Sequence, residues 1–275
     1  MTTMLFYQSV KALNREQHRK LRLLQRSQPF SFAAKTNSVL VASSEFVEAS
    51  RHYPLVFVGA EGGPYSAAAL VGLRDQENLF VEADGAWETD AYVPAFVRRY
   101  PFVLAENGKS LTVCVDETYD GLGETAGLPL FNAQGEESDF LKEVLGFLEA
   151  FHEDMQRTHA FAARLAELGL LSAKTITLEQ QGEQQQLNGL WVVDEDKLLA
   201  LSDAQVGELH RNGYLAAIRA HLVSLRNVDR LAVRVDARRA LAQAADQPVD
   251  AVHANAEPPK AAPPKPPAKP SGKSK

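Results

Sequence analysis

Apolar residues stand at positions 140, 144, 147, 151, 155, 162 and 165, a repeat of threes and fours that an α-helix places on one face. The stripe predicts one long helix over residues 139–168, stopped by Gly169, with Leu170 supplying a hydrophobic contact beyond the stop. Before Val115 the pattern is different: short β-branched and aromatic runs separated by turn residues. A chain that changes period in this way is constrained to α+β. The expected body is a mostly antiparallel β-meander with packed helices, the long helix lying near the middle of the chain.

The first half supplies the strands. Phe30 and Phe32 flank Ser31 in strand-like alternation, and 38–41 is a short β-branched run. Residues 44–51 predict a helix that ends ahead of Pro54, and 54–58 a strongly apolar strand. The glycine-rich stretch 59–64 then turns the chain into a returning strand over 65–73. Residues 79–81 read as a third strand, and 92–100 as a short helix stopped by Pro101. Residues 102–104 and 111–115 complete the meander around Asn107-Gly108. After the long helix, 176–178, 187–193 and 198–201 are expected strands. Ser202 with Gln205 is a capping box for a helix ending at Gly213, and Leu215, Ile218, Leu222 and Leu225 stripe another.

Lys and Arg total 29 against 35 Asp and Glu, a net charge of −6, which argues against nucleic-acid binding through a general basic surface. Positive charge is local. Residues 11–27 carry six Lys or Arg, and Asn14 with Gln17 resembles a capping box opening a short helix through Leu21, Leu23 and Leu24. Residues 257–275 hold five Lys, one Glu and seven of the 14 prolines, with nothing apolar larger than Ala or Pro to repay ordering. A disordered Pro/Lys-rich tail over 251–275 is therefore expected, beside a single domain over 1–250. One cysteine excludes an intrachain disulfide and a cysteine-rich zinc site. No apolar run approaches the ~18 residues that suggest a bilayer span. Residues 1–7 lack the basic start of a secretory signal, so a cytoplasmic protein is expected, with a non-classical export route left open.

The chemistry-bearing residues fall into a few groups. The 59–64 glycines lack the Lys-Ser/Thr of a phosphate loop and lead into a strand, so they read as a hairpin turn. Cys114, between two valines, reads as a buried structural thiol. His152 and His159 lie seven apart, not at the four-residue spacing of helical metal pairs, and read as partner or solvent contacts. Asp116, Glu117, Asp120 and Glu124 form an acidic loop at a strand end, where convergent carboxylates would suit a hard cation. Gly127 occupies the position at which a calcium loop needs its bidentate Glu, and a solvated turn is the preferred reading. The most distinctive segment runs from Trp87 through Tyr92, Arg98, Arg99 and Tyr100 to Phe102. It gathers aromatics and two arginines that suit recognition by stacking and bidentate hydrogen bonding. Its plainer reading is a helix anchored through Tyr92, Phe96 and Tyr100 on one face.

Several of these segments occur together in one known family. His18, Phe32-Ala33, Glu45-Phe46, Tyr53-Pro54, Tyr92-Val-Pro94, Arg98-Arg99-Tyr100-Pro101-Phe102, Asp116-Glu117 and Pro129-Leu-Phe131 together resemble the SapC family. The likeness runs on through Leu187-Asn-Gly189, Gly213 and Ser224-Leu225, over roughly residues 5 to 240. The resemblance implies a bacterial protein tied by family name to the paracrystalline surface layer, and it brings no catalytic residues. The expected function is that of a non-enzymatic accessory or interaction protein with an unidentified protein partner and no cofactor or metal. Trp87, Tyr92, Arg98, Arg99, Tyr100, Asp116 and Glu117 are its candidate contact residues. The alternative is a metal-dependent enzyme or small-molecule-binding module using the acidic loop 116–124.

Overall fold

The structure, a computed structural model, describes residues 4–24, 29–108, 110–180 and 183–245. Its elements, in chain order, are β1 (Val10–Ala12), β2 (Arg22–Leu23), β3 (Ser38–Leu40), α1 (Phe46–Ala49), β4 (Leu55–Val58), β5 (Ser66–Leu70), α2 (Ala95–Arg98), β6 (Phe102–Asn107) and β7 (Ser110–Asp116). They continue with β8 (Leu122–Gly123), β9 (Leu128–Pro129), α3 (Asp139–Glu167), β10 (Leu171–Gln180), β11 (Glu183–Val193), α4 (Glu195–Leu199), α5 (Asp203–Arg211), α6 (Tyr214–Ser224) and α7 (Asn227–Ala245). The chain divides into two compact units, 1–235 and 236–275. In the second, the described residues are the C-terminal part of α7. The expected Pro/Lys-rich tail over 251–275 lies outside the described residues.

The fold is α+β with antiparallel sheets, and the core of the first unit forms on the sheet ordered β10-β11-β4-β5-β3. β4 and β5 are the expected hairpin, paired from Leu55↔Ala69 to Val58↔Ser66, with Gly62 in the turn at φ +70°. Leu55, Val56 and Phe57 are all buried, so β4 is covered on both faces and shows no alternation. Ala67, Ala68 and Ala69 of β5 let α3 pack close against the sheet. β11 joins from the far half of the chain through Leu190↔Val58 and Trp191↔Phe57. This long-range pairing breaks the simple meander. The expected β6–β7 hairpin pairs from Phe102↔Val115 to Asn107↔Ser110, and β1 adds to its other edge, Ala12 opposite Cys114. A third sheet sets β2 between β8 and β9.

α3 starts and stops as its sequence dictates. Ser138 Oγ accepts the Leu141 amide at 3.2 Å, and Asp139 in the first turn favours the positive end of the helix dipole. At the other end Gly169 adopts φ +66°, which lets the Leu170 amide reach back to the Leu165 carbonyl at 2.9 Å. The buried face carries Leu141, Leu148, Phe151, Met155, Phe161 and Leu165. Its first part packs with Phe102, Val115, Leu130 and Phe131 in a small core, and its later part enters the main core. α3 thus joins two hydrophobic clusters.

Five local expectations are corrected. Residues 79–81 form no strand; Val81 makes one isolated bridge to Trp87. Residues 198–201 are not a strand either. Asp194 accepts the amides of Asp196 and Lys197 at 3.1 and 3.2 Å and thereby caps α4. After Asn14, whose Oδ1 accepts the Glu16 and Gln17 amides at 2.8 and 3.1 Å, the chain makes turns and then enters β2, so the cap opens no helix. Phe30 and Phe32 lie at a 3₁₀ turn, Ser31–Ala33. The helix expected over 92–100 shrinks to α2, because Pro94 sits at its N-cap in extended geometry and Pro101 has no N–H to continue it.

Candidate functional site

Asp116 ends β7 with a fully buried side chain. Its Oδ2 accepts the Gln8 amide at 2.8 Å, and its Oδ1 accepts the Ser9 amide at 3.0 Å, the Thr118 amide at 3.1 Å and the Thr118 hydroxyl at 2.7 Å. The Tyr100 hydroxyl adds a longer contact to Oδ2 at 3.4 Å. Burial pushes this carboxyl upward, but the amides and hydroxyl that solvate its charged form outweigh that and hold it below the usual carboxylate range. Both oxygens are committed to fixing the N-terminal segment against β7. Glu117 faces elsewhere, pairing with Lys11 at 3.1 Å and His18 at 3.3 Å. Asp120 and Glu124 are exposed. Among the described residues no group of three or more His, Cys, Asp or Glu is placed to hold a metal.

Trp87 and Tyr92 are anchors within the body. Trp87 is buried, stacks on Phe80 at an interplanar angle of 17°, and donates its Nε1 hydrogen to the Tyr53 hydroxyl at 3.1 Å. Tyr53 in turn donates to the Tyr92 carbonyl. Tyr92 donates its own hydroxyl hydrogen to Glu45 Oε1 at 2.7 Å, and burial together with that carboxylate pushes its pKa up to about 12. Glu45, itself buried, also accepts the Ala95 amide at 2.7 Å and the Ala42 amide at 2.9 Å. Glu45 thus organises this corner of the fold, although it is not among the candidate contact residues. Its signal was a glutamate three residues after Ala42, the spacing at which a side chain reaches back to a helix-start amide.

Arg98 and Arg99 are neighbours in sequence that enter different surroundings. Arg99 is largely buried, its guanidinium carbon 4.2 Å from the Phe96 ring centroid and 5.3 Å from that of Phe151. Arg98 is exposed; its Nε donates to the Val93 carbonyl at 3.0 Å, and its guanidinium lies 5.2 Å from the Phe147 ring centroid. Among the described residues it forms no ion pair with a carboxylate.

Arg98 and Tyr100 border an apolar groove of about 540 Å³. Phe30, Phe32 and Val97 line it together with Leu23 of β2, Leu24 just after it and Leu128 of β9. Phe32 stacks on Tyr100 with centroids 4.1 Å apart, which fixes that part of the lining. Leu24 and Leu128 are 41% and 54% exposed, unusual for leucines that flank a concave surface. The structure thus brings Arg98 and Tyr100 together, while Trp87, Tyr92, Arg99, Asp116 and Glu117 lie outside this groove. Nothing in the spacing of residues 23, 32 and 128 announced their meeting, because it depends on the pairing of β2 with β9.

A family model described as SapC matches residues 13–231. The chain belongs to the SapC family. The SapC match spans β2 to β11 and α1 to α6, and it includes the groove and Asp116 but not β1 or the Gln8 and Ser9 amides that Asp116 holds. No curated protein and no solved structure matches the chain. Among the described residues, no helix is long and apolar enough to cross a membrane.

Proposed function

We propose that this SapC-family protein is a non-enzymatic interaction protein that seats a segment of a protein partner in the groove beside Arg98. The observation that carries the reading is the exposed pair Leu24 and Leu128 on a 540 Å³ apolar groove whose one cationic wall group among the described residues is Arg98. Burying such leucines is favourable by roughly 25 cal/mol per Å² of apolar surface. The guanidinium offers a planar fork for a carboxylate. The matching segment carries an aliphatic or aromatic side chain beside Asp or Glu. The surface-layer link in the family's name would enter through that partner. The acidic loop supports the rival enzyme reading less well, since Asp116 already spends its oxygens on Gln8, Ser9 and Thr118.

The test is quantitative capture from the native host with wild type, Arg98→Glu and Leu128→Asp, each first shown to melt like wild type. A protein captured by wild type and lost from both variants supports the reading. That protein must also be displaced by its own acidic, apolar peptide. Equal capture by all three, or a partner indifferent to the peptide, overturns it.

A further inference from the structure

Arg99 follows α2 and lies in an aromatic cage formed by Phe96, Phe151 and Tyr7, whose ring centroids are 4.2, 5.3 and 5.7 Å from its guanidinium carbon. Its Nε is buried and has no hydrogen-bond partner among the described residues. Nor does a carboxylate of those residues pair with it. A guanidinium does not surrender its proton in a protein. The Tyr7 hydroxyl and the ring faces offset part of its lost hydration, but none of them accepts the Nε–H as a carboxylate would. The charge is therefore incompletely compensated.

The same side chain forms one wall of a cavity of about 100 Å³ between β6 and α3. Leu104, Leu148, Phe151, His152 and Met155 complete it. The Gln156 amide nitrogen lies 2.9 Å from His152 Nε2 and donates to it, which leaves the ring proton on Nδ1. The nearby carboxylate is Glu106, 70% exposed and 3.9 Å from Nδ1, too far for a hydrogen bond. The cavity is therefore lined by a guanidinium and an imidazole among apolar side chains.

A largely buried positive charge beside a small polar recess calls for a counter-charge. We propose that this cavity binds a small free anion, a halide or compact oxyanion, with Arg99 as principal donor and His152 as the second. About 100 Å³ corresponds to roughly three water molecules of liquid volume. That admits chloride, acetate, sulfate or phosphate and excludes a nucleotide or a peptide segment. The site is separate from the groove beside Arg98, so neither proposal depends on the other. Glu106 at the rim opposes anion entry, and its removal should tighten binding.

The full chain is melted at constant ionic strength in gluconate, an anion too large for the cavity. Chloride, acetate, sulfate or phosphate then replaces it stepwise. A ligand that binds only the folded state raises the melting temperature as the logarithm of its concentration once past its dissociation constant. We expect at least one of the four to do so in wild type, and at lower concentration in Glu106→Gln. Arg99→Met should lose the response. So should Leu148→Phe, which fills the cavity with Arg99 in place and covers the case in which Arg99→Met does not fold. No rise with any of the four overturns the proposal. An equal rise in the folded variants overturns it as well, since that is a general salt effect on the protein surface.

Discussion

His221 Nε2, on α6, accepts the backbone amide hydrogen of Val193 on β11 at 3.0 Å, entirely out of contact with solvent. The other ring nitrogen, Nδ1, is 2.9 Å from the Leu55 carbonyl and donates to it. The neutral ring therefore satisfies one donor and one acceptor on two adjacent strands. Burial lowers its pKa from 6.5 to about 4, and the Leu55 hydrogen bond opposes that only in part. In the unfolded chain the imidazole protonates as pH falls through 6.5; in the folded protein it resists until about 4. Between those values the unfolded state binds more protons, so stability falls with pH. Urea denaturation should show a loss of about 3 kcal/mol between pH 7.5 and 4, estimated from the shift. In His221→Gln this slope should flatten. His52, also lowered by burial, contributes in the same direction and remains in that variant. An unchanged slope would remove His221 as the source.

Asp116 acts at a lower pH. Its folded carboxyl is held below its ordinary value, so its contribution is present above the unfolded value of 3.8 and is lost as pH falls through the folded one. Asp116→Asn should cost about 2–4 kcal/mol, because hydrogen bonds to a charged acceptor are worth about 1.5–3 kcal/mol each and one amide would then face an N–H. Proteolysis of the variant should begin within residues 5–12. Magnesium or calcium should not rescue it. A cation-dependent rise in the melting temperature of wild type that Asp116→Asn lacks would instead revive the metal reading of the acidic loop.

The legible parts of this fold are those in which cause and effect are close in sequence. The Ser202–Gln205 capping box, the Gly169 stop, the 59–64 hairpin and the Asn107-Gly108 turn all act within a few residues. α3 was legible because one stripe persists over eight turns. The role of Asp116 was not, since its partners are backbone amides 107 and 108 residues away, which carry no side-chain signature. Residues 198–201 misled because Leu-Leu-Ala-Leu suits a short strand as well as a helix, and the deciding cap at Asp194 lies four residues earlier. The groove was half-visible. Arg98 and Tyr100 stood out by residue type, whereas Leu24 and Leu128 reach it only through pairing with β2.

Cys114 reports on the same N-terminal clasp. It is 6% exposed, its thiol is pushed up by burial, and Tyr7 of the N-terminal segment packs with it and Val103. A thiol reagent should label native protein slowly and denatured protein at once, since only an accessible thiolate reacts. Asp116→Asn should accelerate native labelling by weakening the hold on Gln8 and Ser9. Fast stoichiometric labelling of wild type would show that the N-terminal segment does not stay packed on Cys114.

Arg98 and Arg99 make the last contrast. The sequence presents them as a matched pair, so that replacing both would test one surface. The structure separates their effects. Arg98 is exposed and contributes a hydrogen bond to the Val93 carbonyl and a longer one to the Tyr92 hydroxyl at 3.4 Å, so Arg98→Ala should stay within about 0.5 kcal/mol of wild type. Arg99 packs its stem and guanidinium against Phe96, Phe151 and Tyr7 beside an existing cavity. Arg99→Ala enlarges that cavity and should cost about 1–3 kcal/mol through lost packing. Arg99→Met, which keeps the volume and removes the charge, should cost less. Matched denaturation curves of the three variants decide the matter. Equal losses for Arg98→Ala and Arg99→Ala would mean that the two side chains share one environment after all.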